Sequence, residues 1–209
     1  MKNVLLLGDS IRVGYDKAVK KTLEGIAEVY FPGENCRFAA YTMRYLGEYS
    51  ELLGSEKADV VHWNAGLWDC LRQYGEDPNT PIDVYAYYIE RICLRIKKLF
   101  PNVKVIFATS TSVQSERMGV NFKRYNEEIE AYNARAVEIV KSHGFEVNDL
   151  YAASRTLPDE AHSDPVHYYT PMGTETFANQ VLRYLADALE LDKAPEYKEV
   201  LHTDKPVGM

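Results

Sequence analysis

A three-layer α/β/α domain built on a five-stranded parallel sheet is the fold that this sequence predicts. Three observations predict it. Five short apolar runs alternate with longer segments of helical periodicity, and strands joined by crossover helices pair in parallel. The first run, Val4 to Leu7, is continuously apolar, as a strand covered on both faces must be. Finally, the 209 residues contain no repeat or low-complexity tract, and no linker before a C-terminal tail. That length suits one domain, expected over 1–191, with a tail over 192–209.

The elements follow in order. After the strand at 4–7, a helix is expected around 14–25. A second strand at 28–31 closes on Pro32-Gly33. A helix over 39–53 carries an apolar stripe of Tyr41, Leu46, Tyr49, Leu52 and Leu53. The third strand is 59–63, and a long helix over 82–99 stops before Pro101. Residues 103–108 (VKVIFA) form the fourth strand. A helix over 123–142 ends on Gly144, a C-terminal cap. A short fifth strand follows at 145–147, and a last helix begins at Pro171, where proline fits a first turn, and runs to 191. In such a sheet the working residues belong at the carboxyl ends of the strands, where strand order reverses.

Composition narrows the function. A net charge of −7 argues against nucleic acid, because phosphate binding needs clustered Lys and Arg. Cys36, Cys70 and Cys93 fit no metal spacing, and an odd scattered set argues for a reducing compartment. Met1-Lys2-Asn3 leads straight into the first strand, with no secretory leader pattern, and no apolar run approaches the ~20 residues of a membrane span. The expectation is a cytoplasmic protein with no membrane or nucleic-acid partner. A homo-oligomer stays open, since the tail from residue 192 is free to meet a neighbour.

Two short stretches carry chemistry. VLLLGDS puts Ser10 at the end of the first strand and the mouth of a helix, where free N–H groups favour negative charge. Read alone, Ser10 is better explained as a helix N-cap, a common use of serine after a strand. The stretch lacks the P-loop lysine and the GxGxxG spacing, and it is not GxSxG. Near the other end, SDPVHYYTPMG puts Asp164 three residues before His167, just ahead of the last helix. At that spacing a carboxylate can hold the imidazole's tautomer and favour its protonated form. Read alone, this pair is equally a surface histidine beside a capping aspartate.

Together these motifs resemble the SGNH (GDSL) hydrolase family over nearly the whole chain. Asn126, Tyr132, Asn133 and Asn148-Asp149-Leu150 add to the likeness. The resemblance implies a flavodoxin-like sheet and a serine esterase, with Ser10 as nucleophile, His167 as base and Asp164 as its orienting carboxylate. It also implies an oxyanion hole from the Ser10 N–H, a glycine after strand two and an asparagine after strand three. In PGENC the glycine is Gly33, with Asn35 as its rival. The third block departs from the family's G-x-N-D, because Trp68 occupies the asparagine position in Gly66-Leu67-Trp68-Asp69. Strand alternation brings positions 64, 66 and 68 to one side, so Asn64 is the candidate donor, with Trp68 shaping the pocket.

The family resemblance suggests short-chain acyl esters, acetyl on a carbohydrate above all. Trp63, Trp68, Tyr74, Tyr168 and Tyr169 fall near the expected edge, and aromatic faces suit sugar rings. Trp68 and Tyr168 are the expected substrate contacts. A lysophospholipase or thioesterase of the same family is an alternative, as is a non-catalytic sugar-binding or scaffold protein. Asp9 and Asp69 are expected to organise turns and helix starts, and His62 to be a core residue. No cofactor and no metal are expected: HExxH, CxxC and carboxylate clusters are absent from the sequence.

Overall fold

The computed structural model describes residues 1–54 and 57–198. Val4, Leu5, Leu6 and Leu7 are fully buried, each contributing roughly 2 kcal/mol by leaving water. They belong to β1 (Lys2–Leu7), which lies between β2 (Ala27–Tyr30) and β3 (Val60–Trp63); β4 (Lys104–Ala108) and β5 (Glu146–Asn148) extend the sheet. The order is β2-β1-β3-β4-β5 with every pairing parallel. Leu7 pairs with Trp63 and Trp63 with Phe107, so the carboxyl ends finish together.

Helices cover both faces, completing the three layers. On one face α3 (Ala39–Ser50), α4 (Ile82–Leu99) and α5 (Asn126–Ser142) pack in succession. On the other, α2 (Asp16–Thr22) packs against α7 (Pro171–Leu189). The helix expected around 14–25 is instead two pieces, α1 (Ser10–Val13) and α2. The chain bends between them at Gly14 and Tyr15, which lets the Tyr15 ring bury edge-on to His62. The helix expected over 39–53 ends at Ser50 and tightens into a 3₁₀ turn, Glu51–Leu53, which leaves Leu52 exposed rather than on the apolar stripe.

The helix expected from 123 starts at Asn126. Before it, Lys123 exchanges two 2.9 Å backbone hydrogen bonds with Arg72, which commits that residue to a bridge rather than a helical turn. A sixth helix, α6 (Leu150–Arg155), was not expected; it is six residues long, and the Asp149 side chain caps it. The last helix ends at Leu189 rather than 191, because Glu190 takes a left-handed cap conformation at φ 61°. Residues 192–198 return along α7, where Tyr197 and Asn179 exchange hydrogen bonds. The rest of the expected tail, 199–209, lies outside the described residues. No helix among the described residues is long and apolar enough to cross a membrane.

His62 is a core residue, as expected. Burial lowers its pKa to about 3, so it folds neutral while the unfolded chain binds a proton below about 6.5. Between pH 6.5 and 3 the unfolded state therefore holds the extra proton, and stability falls as pH falls. The expected slope is about 1.4 kcal/mol per pH unit from this residue. Urea titrations of wild type and His62→Gln across that window check it: the variant should be less acid-sensitive by that slope.

Candidate active site

The site forms where β1 runs out. Asp9, and not Ser10, caps α1: its Oδ1 accepts the Ile11 N–H at 2.9 Å. The capping alternative for the serine is thereby taken by its neighbour. Ser10 occupies the first position of α1, half-buried, with its hydroxyl turned toward the loop before α7.

That loop brings His167 to it across 157 residues of sequence, with Nε2 2.7 Å from Ser10 Oγ. On the far side, His167 Nδ1 lies 2.8 Å from Asp164 Oδ2. An ionised carboxylate only accepts, so Nδ1 carries the ring proton and Nε2 presents its lone pair to the serine hydroxyl. The other carboxylate oxygen, Oδ1, accepts the backbone N–H of Val166 at 2.8 Å and of His167 at 2.9 Å. Partial burial pushes the Asp164 carboxyl up. The Val166 and His167 hydrogen bonds outweigh it and hold the pKa below the usual carboxylate value. Asp164 therefore stays ionised at neutral pH.

The candidate oxyanion donors have different settings. Gly33 and Asn35 lie on the loop after β2, which Arg12 fastens from within: its guanidinium donates to the Pro32 and Glu34 carbonyls and pairs with Asp16. The Cys36 N–H adds a 3.0 Å bond to the Gly8 carbonyl. Gly33 is exposed, with nothing within 4 Å of where a Cβ would stand. Asn35 is half-buried, and its side-chain oxygen accepts the Arg37 N–H at 2.7 Å.

Asn64 is buried beneath Gly8, with its amide against the Asp9 carboxyl. It lies beside Asp9, whose carboxyl is pushed up by burial, against the pull of the Asn64 amide, the Ile11 N–H and the Arg124 charge. Asp69 is fully buried and organises a turn, as expected. It accepts the Ala39 N–H at the start of α3, and burial lifts its pKa to about 7.

The aromatic expectations divide. Trp68 is half-buried on the loop after β3, where its carbonyl accepts the Asn79 side-chain amide at 3.4 Å. Tyr168, expected to contact substrate, is a correction: it is 2% exposed, with its hydroxyl bonded to Ser112 and its ring edge-on to Phe177. Trp63 likewise packs into the core on Phe107. The following tyrosine, Tyr169, is the ring that touches the site, stacked on His167. Sequence reasoning missed Arg12 and Arg124. Arg12 was findable, since it stands four residues before Asp16, the spacing of a helical ion pair. Arg124 bonds the Leu67 carbonyl from a buried position near Asp9 and Asp164, and nothing in its local sequence marks it.

Comparison with known proteins points one way. No family profile matches the sequence. Among curated proteins, a GDSL esterase/lipase from Arabidopsis thaliana, CPRD49, is 24% identical over 124 residues, which is 54% of this chain and 48% of the relative. The chain thus spans about half the length of that curated relative. A lipase/acylhydrolase from Enterococcus faecalis superposes with a TM-score of 0.70 at 21% identity, covering 90% of this chain and 96% of that one. The acetyl xylan esterase AlAXEase gives 0.68 at 17% identity over 88% and 99%. Axe2, an acetylxylan esterase from Geobacillus stearothermophilus, gives 0.66 at 20% over 87% and 93%. The five-stranded sheet with helices on both sides is the α/β fold these structures share.

Proposed function

We propose that this chain, which belongs to the SGNH (GDSL-like) hydrolases, is a serine esterase that removes short acyl groups, acetyl above all, from carbohydrate esters. One observation carries the reading: the unbroken hydrogen-bond chain from Ser10 through His167 to Asp164 at the carboxyl edge of the sheet. In this reading His167 Nε2 takes the Ser10 proton as Oγ attacks the ester carbonyl. The imidazolium, held by Asp164, then protonates the departing alcohol. Water, activated by the same nitrogen, attacks the acyl-serine, and the acid leaves as Ser10 regains its proton.

The developing oxyanion needs donors fixed in advance. We assign them to the Ser10 and Gly33 backbone N–H groups and to the Asn64 amide, with Asn35 as the alternative on its loop. What supports Asn64 is its place directly below the Gly8–Ser10 turn, beside the Asp9 carboxyl. An acetyl-sized substrate with a sugar alcohol is supported by the acetylxylan esterases among the structural neighbours; half-buried Trp68, on the loop after β3, is the aromatic ring proposed to meet the sugar. The three cysteines are unpaired and buried, which suits the cytoplasm as its compartment.

Two measurements test this. Hydrolysis of p-nitrophenyl acetate, butyrate and octanoate should fall with acyl length, and acetylated xylo-oligosaccharides should release acetate. A preference for octanoate would favour a lipase; no turnover of any ester would favour a binding protein. Asn64→Ala should lower kcat about 10²-fold with little change in KM, the loss that follows removal of one oxyanion donor. An unchanged kcat would remove Asn64 from the hole and leave Gly33, Asn35 and Ser10.

A further inference from the structure

We propose that Tyr169 is a positioning residue that locks the nucleophile and the base to one another. The inference rests on the esterase reading and adds a residue to it. Tyr169 follows His167 by two positions, and its ring lies flat on the imidazole, with centroids 4.8 Å apart and 19° between the planes. Its hydroxyl reaches past that ring and donates to the main-chain carbonyl of Ser10 at 2.6 Å. The turn behind it is tied as well. Ser163 Oγ accepts the Tyr169 N–H at 3.2 Å, and the Ser163 N–H donates to the His167 carbonyl at 2.8 Å. One side chain therefore touches both reacting residues.

The arrangement answers a mechanical need. Ser10 sits on a helix of only four residues, and His167 on a loop. Asp164 fixes one edge of the imidazole but not its tilt. The stacked ring limits that tilt, and the hydroxyl sets the height of the Ser10 backbone beneath it. A displacement of about 1 Å between reacting groups costs up to ~10² in rate. Burial pushes the Tyr169 hydroxyl up to about 12, so it remains a donor at neutral pH.

Two further observations support positioning over core packing. Tyr169 is 45% exposed, so it adds little to the core. In addition, a Cβ at Gly14 would stand 2.9 Å and 3.0 Å from two carbons of the Tyr169 ring. Gly14 has an ordinary helical φ of −69°, so a side chain there would meet the Tyr169 ring first and the Ile11 carbonyl, at 3.2 Å, next.

The test uses wild type, Tyr169→Phe and Gly14→Ala. For each, kcat and KM on p-nitrophenyl acetate, the rate of Ser10 sulfonylation by phenylmethylsulfonyl fluoride, and Tm are measured. Tyr169→Phe keeps the stack and loses the bond; Gly14→Ala keeps the tyrosine and displaces its ring. Each should lower kcat and the sulfonylation rate about tenfold, with KM within about twofold and Tm within a few degrees. Wild-type kcat in both variants overturns the proposal. So does a lowered Tm with unchanged kcat and sulfonylation rate per folded molecule, the signature of a structural role. A wild type that neither hydrolyses ester nor reacts at Ser10 overturns the esterase reading, and this proposal with it; an active wild type with indifferent variants overturns only this one.

Discussion

Ser10→Ala is expected to lower kcat/KM on p-nitrophenyl acetate by at least about 10³-fold while leaving Tm close to that of wild type. The hydroxyl removed is half-buried, and its side-chain partner among the described residues is His167 Nε2, 2.7 Å away. The helix it opens keeps its cap, because Asp9 and not Ser10 accepts the Ile11 N–H. Loss of the hydroxyl therefore removes the attacking atom without unpicking the local fold. His167→Ala should give a comparable loss, and the double variant should lose little more than either single one, since the two residues act as one unit. Additive losses would mean that the residues work independently. A Ser10→Ala protein with appreciable turnover would move the chemistry elsewhere.

Gly8→Ala carries the second large effect, and it acts on the frame beneath the site. Gly8 has φ 156°, and a Cβ there would stand 1.8 Å from Asn64 Oδ1 and 2.9 Å from Arg12 Cβ. Neither neighbour is free to retreat. Asn64 is buried among the strand ends, and Arg12 is buried and holds the loop after β2. The expected cost is about 3 kcal/mol of stability, of the order seen when atoms are forced into a filled core. The activity of the folded fraction should also fall, because the displaced groups flank Ser10. Gly33→Ala is the control: its added Cβ meets nothing within 4 Å, so stability should change by less than about 0.5 kcal/mol. Urea unfolding of the two variants beside wild type decides it. Equal stabilities would mean that the tight contact at Gly8 is relieved at no cost.

The sheet was legible because burial on both faces leaves an unmistakable mark. Val4 to Leu7 and Val105 to Ala108 have no polar face to present, and the intervening helical segments force parallel pairing. The Ser10–His167–Asp164 cluster was legible because its members sit within two short motifs, each tied to the end of an element. Less legible was whatever depends on contacts across the chain. Lys123 gives up its helical turn for a bridge to Arg72, 51 positions away, and no local pattern announces that. Tyr168 and Tyr169 are adjacent and chemically identical, yet one is core and the other lies on the imidazole. Their roles follow from which way the loop turns after His167. Arg12 falls between these cases, since its spacing to Asp16 was visible but its grip on Pro32 and Glu34 was not.

The proposed chemistry requires Ser10 to become covalently acylated, with His167 as its base. The most direct measurement is to mix the protein with p-nitrophenyl acetate, quench in acid within the first turnover, and locate acetyl groups by peptide mass spectrometry. Acetyl on the peptide carrying Ser10, absent from Ser10→Ala and strongly reduced in His167→Ala, is the result predicted. Ester turnover without acetyl on Ser10, or with acetyl on another residue, would contradict it.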